Sequence, residues 1–319
     1  MRALCGVIAF MAVAFAAVWY VTLPQRKWHR QLEALRVAGW RVSHDHKETT
    51  IAHLLFEETT LEAANVQPLR SLETPFGAIV LRRAVTKSGI RALSECNSLE
   101  MLWLRGSRLP DDALRTLGAS KSIYGLDLSE CLLRRDDFRD LRFPGLGSLW
   151  LGKTAVDDDA LGDIATLKGI AALSLTGTKI GDHGLAHLAE LRALVDLDLS
   201  DTAVGDVGVA RLKRLPLYRL SLANSQITDG GVRHLAAMRG LRELDLSGTK
   251  ITSGGVKHLA ARLRLKDIRL SNTVVDDDAI KSLAPMKSLR RLSIDNTKIT
   301  PPAAAAFQKT RSRVYVTGG

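Results

Sequence analysis

Apolar residues recur along this chain with a period of 23 or 24 residues, from residue 99 to residue 313. Early in each period they fall at positions 1, 4, 6 and 11, as in residues 194–204, and this alternation predicts a short strand. Later they fall at positions 16, 19 and 22, as in Val209, Leu212 and Leu215, which is the spacing of one helix face. Each period therefore predicts a strand, a turn and a helix.

The repeats run through most of the chain. Clear copies begin at Leu99, Ile123, Leu146, Ile170, Leu194, Leu217, Leu241, Leu265 and Leu289. Two weaker copies begin at Ile51 and Phe76. A repeat of this length is typical of a solenoid, in which a module buries its apolar face only by stacking on its neighbours. We therefore expect one array over residues 51–319, with its function on a surface and not in a single deep cleft.

Two polar positions recur with the apolar ones. Position 13 precedes the helical stripe and predicts a helix N-cap. The residues at position 13 are Asp111, Asp158, Asp182, Asp206, Asp229, Ser253 and Asp277. Position 9 is small and polar, most often threonine as in Thr178 and Thr202, and it predicts an internal ladder of hydroxyls bonded to nearby backbone.

The consensus L-x-x-L-x-L-x-x-T-x-I-x-D-x-G-L-x-x-L-x-x-L resembles the leucine-rich repeat superfamily over residues 51–319. Threonine stands at position 9 where the commonest members have asparagine, so the chain is similar to the 24-residue bacterial subclass. The resemblance implies an α/β horseshoe with a parallel sheet on its concave side and helices on its convex side.

The N-terminus is a separate segment. Residues 3–23 carry no charge and would span about 31 Å as a helix, at about 1.5 Å per residue. Pro24, Arg26 and Lys27 follow, so residues 1–24 predict a single transmembrane helix that anchors the chain in a membrane. The alternative is a cleaved signal peptide with its small-residue site near Ala14 and Ala16. The side of the membrane on which the array lies stays open.

Residues 25–50 link the membrane segment to the array. They predict an amphipathic helix from Trp28 that ends at Gly39, and then a strand from Trp40 that covers the first edge of the repeat sheet. This helix, glycine and strand resemble the front end of membrane-tethered leucine-rich repeat proteins of planctomycete-type bacteria.

The net charge of +11 raises the question of an anionic partner. Much of the basic charge lies at the ends of the predicted helices and in the loops after them, while acidic runs such as residues 157–159 and 276–278 lie at the opposite ends, which complements the helix dipoles. No aromatic residues are interleaved with the basic ones, so we expect no nucleic-acid partner. Three cysteines are too few for a disulfide framework.

The sequence gives only weak signals for catalytic or metal-binding residues. His183 and His187 have the spacing of helical metal ligands, but the glutamate of a zinc hydrolase is missing. His187, His234 and His258 recur at one repeat position, so repetition explains them. No phosphate-binding loop, nucleophile elbow or paired-cysteine site occurs in the sequence. We expect no enzyme activity, no cofactor and no metal.

Positions 3 and 5 of each strand should point out of the concave face. Near the N-terminus these columns are apolar and include two tryptophans, the residue type most enriched in binding hot spots. The predicted patch is Val80, Met101, Trp103, Asp127 and Trp150, rimmed by Arg82, Arg83 and Arg105. The alternative is that a loop or the linker covers it. Farther along, Asp196, Arg219 and Glu243 alternate in sign and predict lateral ion pairs.

These features predict a non-catalytic, membrane-tethered module that binds a protein or peptide through its concave face. One alternative is a substrate-recognition subunit similar to the F-box-linked leucine-rich repeat proteins, although residues 25–50 are too short to hold such a box. The other is a passive envelope scaffold without a discrete partner.

Overall fold

The computed structural model describes residues 25–44, 51–139, 141–262 and 264–318. The chain divides into two compact units. Unit 1 comprises the residues up to 132 together with 141–146, and unit 2 comprises 133–140 together with 147–319. Each unit is a stack of strand, turn and helix modules, as the periodicity predicts.

Unit 1 contains a sheet flanked by short helices. Its sheet strands are β1 (Trp40–His44), β2 (Ile51–Phe56), β4 (Phe76–Ile79), β6 (Leu99–Trp103) and β7 (Gly125–Asp127). Its helices are α1 (Gln25–Val37), α2 (Ala63–Val66), α3 (Lys87–Ser94) and α4 (Ala113–Leu117). Strands β3 (Thr60–Leu61) and β5 (Ala84–Val85) pair separately beside the sheet. The neighbours β2, β4, β6 and β7 are parallel, whereas β1 is antiparallel to β2.

The first edge of this sheet is covered by β1, as predicted. Gly39 has a φ of +86°, a left-handed conformation that lets the chain turn from α1 into β1. The Trp40 indole is buried against the ring of Phe56, with centroids 5.1 Å apart, and its Nε1 donates to the carbonyl oxygen of Asn65 at 2.8 Å. The edge strand is therefore fixed by a buried aromatic pair and a satisfied indole N–H.

Unit 2 repeats the same module with parallel strands. Its strands are β8 (Ser148–Trp150), β9 (Ala172–Ser174), β10 (Asp196–Asp198), β11 (Arg219–Ser221), β12 (Glu243–Asp245), β13 (Asp267–Arg269), β14 (Arg291–Ser293) and β15 (Tyr315–Thr317). Its helices are α5 (Asp158–Ile164), α6 (Leu185–Leu188), α7 (Asp206–Arg211), α8 (Asp229–Leu235), α9 (Ser253–Arg262), α10 (Asp277–Leu283) and α11 (Pro301–Thr310).

The core lies between the strands and the helices of each module. Leu197 and Leu199 of one module are 0% exposed, and so are Val209 and Leu212 of its helical half. The alternate strand residues, such as Asp198, point to the opposite face and are partly exposed. This alternation creates an open sheet face in each unit.

Position 9 forms the predicted hydroxyl ladder. In unit 2 each side chain donates to the carbonyl three residues earlier in its own turn, as Thr202 Oγ1 does to Leu199 at 2.6 Å. In unit 1 the bond crosses to the preceding module, where Ser107 Oγ donates to Val80 at 2.8 Å and Cys131 Sγ donates to Leu104 at 3.1 Å. These buried side chains thereby find hydrogen-bond acceptors within the array, and several of the carbonyls, such as that of Leu175, also accept the backbone N–H of the same position-9 residue.

The position-13 aspartates do not cap their own helices, so that prediction is wrong. Where a side chain caps a unit 2 helix, it comes from position 12, as with Asp157 and Thr228. The position-13 side chain instead accepts the backbone N–H at position 12 of the next module. These pairs are Asp158 with Gly181, Asp182 with Gly205, Asp206 with Thr228, Asp229 with Thr252, Ser253 with Asp276, and Asp277 with Thr300. We call them the position-13 clamps, because each ties one module to the next.

The clamps explain the glycine at position 15. A Cβ on Gly208 would lie 2.5 Å from Asp182 Oδ1 and 3.0 Å from the Asp182 Cα, whereas a Cβ on Gly162 would meet only the His187 ring tip at 3.4 Å. We expect Gly208→Ala to lower the free energy of unfolding by about 1–2 kcal/mol, because overpacking outweighs the helical preference of alanine. The matched Gly162→Ala variant should raise it by about 0.5–1 kcal/mol. Urea unfolding measures both, and equal effects of the two variants would contradict the clamp geometry.

The predicted membrane segment, residues 3–23, lies outside the described residues, as do residues 45–50. Within the described part of the chain, no helix is both long enough and apolar enough to cross a membrane.

Candidate partner-binding face

The open sheet face of unit 1 is predominantly apolar. The register aligns Leu55, Ile79, Trp103 and Asp127 in one row across the strands. It aligns His53, Gly77, Met101 and Gly125 in a second row. We call the partly exposed set His53, Leu55, Ile79, Met101 and Trp103 the apolar face.

Val80 does not belong to this face, which corrects the sequence-based assignment. Its side chain is 0% exposed. The register shifts by one residue after Phe76, so that Phe76 pairs with Leu99 but Gly77 pairs with Met101. A shift of one residue moves every following side chain to the other face of the strand. Ile79 therefore occupies the open position, and Ala78, which the repeat columns also placed outside, is buried.

Trp103 is held in place on the sheet. Its ring packs against the imidazole of His53, with centroids 5.3 Å apart and planes inclined by 59°. It also covers Gly77, where a Cβ would lie only 2.5 Å from Trp103 Cζ3. Burial lowers the pKa of His53, so the imidazole behind the indole favours its neutral form. The indole is therefore a partly exposed anchor whose orientation is fixed by its neighbours.

Asp127 ends the apolar row and belongs to the turn that follows it. Its Oδ1 accepts the Ser129 N–H at 2.8 Å. Burial raises the pKa of the Asp127 carboxyl, and the bonds from Ser129 and the charge of Arg105 offset this only in part. The carboxylate is thus a structural acceptor at the border of the face.

The raised pKa has a consequence for stability. The folded chain holds the Asp127 proton more tightly than the unfolded chain, so this contribution to stability is present at low pH and is lost as pH rises through the folded pKa. Asp127→Asn keeps an acceptor for Ser129 without the buried charge. We expect its urea midpoint to exceed that of the wild type near pH 7 and the difference to shrink toward about pH 4. A difference that is the same at both pH values would contradict the burial of this carboxylate.

Each of the three arginines predicted as a basic rim has a hydrogen-bond partner. Glu130 binds two of them, with Oε1 2.6 Å from Arg105 Nη2 and Oε2 3.1 Å from Arg82 Nη2. Arg83 Nη2 donates to the carbonyl oxygen of Glu57 at 3.1 Å. The rim therefore borders the apolar face, with two of its arginines held by one carboxylate and the third by a backbone carbonyl.

Unit 2 presents a different open face. Trp150 lies there, partly exposed, and pairs in register with Ser174. Farther along, Arg219 bridges Asp196 at 2.8 Å and Glu243 at 2.7 Å, which confirms the predicted lateral ion pairs. The two tryptophans thus belong to different units. Of the predicted patch, Met101, Trp103, Asp127 and the three arginines lie in unit 1.

Sequence reasoning missed Ile79 and the contribution of His53. One signal in the sequence could have found Ile79. Ala78 and Val80 are apolar and two residues apart, like the inward positions 4 and 6 of other modules, which would leave Ile79 between them pointing outward.

Among the described residues, no cluster of three or more His, Cys, Asp or Glu side chains could hold a metal ion.

Comparisons with known proteins agree with this architecture. The family described as Leucine Rich repeat matches residues 191–213 and 239–260. No curated protein matches the chain. An internalin (InlF) of Listeria monocytogenes has a similar structure, with a TM-score of 0.50, 18% identity, and coverage of 90% of this chain and 92% of that one. Internalin C2 of the same organism gives a TM-score of 0.44 with 22% identity over 68% of this chain and 84% of that one. Residues 191–213 and 239–260 thus match the leucine-rich repeat family, and the chain has a fold similar to that of a Listeria internalin.

Proposed function

We propose that this chain is a non-catalytic, membrane-tethered recognition module that binds a protein or peptide through the apolar face of unit 1. One observation carries the proposal. Unit 1 leaves aliphatic and aromatic side chains partly exposed at the strand positions where most modules of unit 2 place serine or charged residues. Exposed apolar residues grouped on a rigid surface are typical of interaction sites.

The geometry of Trp103 supports this role. An indole that its neighbours already orient loses little conformational freedom when a partner binds it. Tryptophan also buries a large apolar area and can donate one hydrogen bond from its indole nitrogen. Trp103 would therefore supply much of the affinity, with Leu55, Ile79 and Met101 completing the contact.

The membrane tether is the second part of the proposal. Residues 3–23 form an uncharged run whose helical length of about 31 Å matches the hydrocarbon core of a bilayer. Arg26 and Lys27 follow it closely, where cationic side chains favour the lipid headgroups. A tethered recognition module would hold its partner at the membrane.

Site-specific photocrosslinking in cells tests the proposal. A benzophenone amino acid placed at Ile79 or at Met101 of the full chain should give one covalent adduct of defined mass. The matched control position is Leu132, which is 88% exposed in the same unit but lies outside the apolar face. We expect no adduct from that position. Recovery of the chain with the membrane fraction after a carbonate wash checks the tether.

Two results would overturn the proposal. Adducts of many masses from all three positions would indicate a passive scaffold. The absence of any adduct from positions 79 and 101, in cells that contain the folded chain, would exclude this face as a recognition site.

A further inference from the structure

The helix-to-strand connections of unit 2 form one edge of the unit, because parallel strands all begin on the same side of their sheet. These connections are residues 165–171, 189–195, 212–218, 236–242, 264–266, 284–290 and 311–314. They contain twelve lysine and arginine residues and one acidic residue, Glu190. The strand-to-helix connections at the opposite edge contain four basic and five acidic residues. We call the first edge the basic edge.

Only part of this charge serves the fold. Arg242 Nη1 donates to the carbonyl of Arg239 at 2.8 Å, Arg290 Nη1 to that of Lys287 at 2.9 Å, and Arg311 Nη2 to that of Met286 at 2.6 Å. Arg311 also donates to the carbonyl of Ala284, directly after the last residue of α10, and so complements a helix end. Arg242 and Arg290 bond carbonyls within the connections themselves. The other nine form no ion pair within the described part of the chain: Lys168, Arg192, Lys213, Arg214, Arg239, Arg264, Lys266, Lys287 and Arg313. All nine side chains are exposed. Eight of them are spread over the first six connections, and the ninth, Arg313, lies in the last.

Backbone bonds align these connections in a row. The N–H of Arg242 donates to Tyr218 at 2.8 Å, and that of Lys266 donates to Arg242 at 2.7 Å. Successive residues are therefore about 4.8 Å apart along the edge. The row consists of Val195, Tyr218, Arg242, Lys266, Arg290 and Tyr315. Val195 and Tyr218 are each 41% exposed, and Tyr315 is 68% exposed.

This combination fits a lipid surface better than a nucleic acid. Exposed aliphatic and tyrosine side chains beside lysine and arginine are typical of segments that bind at the membrane interface. Surfaces that bind single-stranded nucleic acid interleave aromatic rings with the basic residues, whereas here the tyrosines flank a continuous basic stretch. The opposite edge carries about as many acidic as basic residues and lacks this attraction, so the unit would approach an anionic surface with its basic edge first.

We propose that the basic edge of unit 2 binds the surface of a bilayer that contains anionic phospholipid. The inference rests on the tether proposed above only for bringing the edge near lipid, and it is independent of the apolar face of unit 1. Each basic residue near such a surface strengthens the association by roughly fivefold at moderate salt.

Lysine footprinting of the full chain tests this proposal. The chain is incorporated into nanodiscs of phosphatidylcholine, with or without phosphatidylglycerol, and acetylation rates are measured by mass spectrometry. Lys213, Lys266 and Lys287 report on the basic edge, while Lys153, Lys179 and Lys250 report on the opposite edge. We expect the first three lysines to be acetylated severalfold more slowly in discs that contain phosphatidylglycerol than in discs of phosphatidylcholine only. This protection should disappear at high salt. The second three should react equally in both discs.

Matched variants separate the basic edge from net charge. Arg239→Gln, Arg264→Gln, Lys266→Gln and Lys287→Gln together remove four charges from the basic edge, with Lys213 left as reporter. Lys153→Gln, Lys179→Gln, Lys250→Gln and Lys298→Gln remove the same number from the opposite edge. We expect the first set to abolish the protection of Lys213 and the second to retain it.

Three outcomes of the footprinting would contradict the proposal. Equal reaction rates in both discs, or equal protection of both edges, would show that the basic edge does not contact lipid. Protection by duplex DNA in place of anionic discs, at the same salt, would assign the edge to nucleic acid. If the chain does not enter discs, the tether fails, and sedimentation of the chain with phosphatidylglycerol vesicles but not with phosphatidylcholine vesicles then decides the role of the edge.

Discussion

Trp103→Ala is expected to weaken binding of the crosslinked partner by roughly thirtyfold or more, the loss typical of a central tryptophan anchor. The array should stay folded, because the ring is only partly buried and its removal costs about 1–2 kcal/mol. Affinity is measured by titrating the partner into the full chain, and circular dichroism checks the fold.

Two further variants make this result specific. Gly77→Ala leaves the indole in the chain but places a methyl group only 2.5 Å from Trp103 Cζ3, so it should also weaken binding by displacing the ring. Tyr218→Ala removes another exposed aromatic ring, in unit 2, and should leave the affinity unchanged. An unchanged affinity for Trp103→Ala and Gly77→Ala would remove the apolar face from consideration.

Trp150 belongs to unit 2, so its contribution to partner affinity is tested separately. If the partner extends along that unit as well, Trp150→Ala alone should lower the affinity, and the double variant with Trp103→Ala should abolish capture. An effect of Trp150→Ala as large as that of Trp103→Ala would show that the partner uses both tryptophans.

Asp206→Ala is expected to lower the free energy of unfolding by about 2–3 kcal/mol. The Asp206 carboxylate accepts the N–H of Thr228 at 2.9 Å and its hydroxyl at 2.5 Å, and that hydroxyl in turn caps α8 through the N–H of Gly230 at 3.1 Å. Removing the carboxylate leaves a partly buried N–H without its acceptor and loosens the cap. Urea unfolding followed by circular dichroism measures the change.

Variants that remove only part of this clamp should lower the free energy of unfolding by less than its complete removal does. Asp206→Asn retains an oxygen for the Thr228 N–H, and Thr228→Val removes only the hydroxyl bonds, so each should cost less than Asp206→Ala. Asp159→Ala is the matched control. It removes a carboxylate from the first turn of α5 that pairs with the exposed Arg135 at 2.6 Å, and it should cost under about 1 kcal/mol. Equal losses for Asp206→Ala and Asp159→Ala would contradict the clamp.

The module is predictable from the sequence because its parts are periodic. Leucines at positions 4 and 6 face the core, threonines at position 9 bond the turn, and the charges of Asp196, Arg219 and Glu243 pair across strands in register. Each of these follows from a local rule repeated many times, so one error in one module does not disturb the pattern.

The details that define the candidate site depend on single residues. The shift after Phe76 exchanges Val80 for Ile79 on the open face, and the period does not reveal where within a module one residue is missing. The pairing of Arg82 and Arg105 with Glu130 joins residues from different modules, and Glu130 reaches them from a left-handed turn with a φ of +60°. The clamp role of Asp206 was hidden because position 13 also suits a helix N-cap.

The most direct test of partner binding on the apolar face uses the methionine methyl groups. The chain has five methionines, of which Met101 lies on the apolar face, whereas Met238 and Met286 are buried in unit 2 at 3% and 6% exposure. In ¹³C-methyl spectra of the full chain, the partner should shift or broaden the Met101 signal at equimolar addition and leave those of Met238 and Met286 in place. A bound partner that leaves the Met101 signal unchanged would contradict this account.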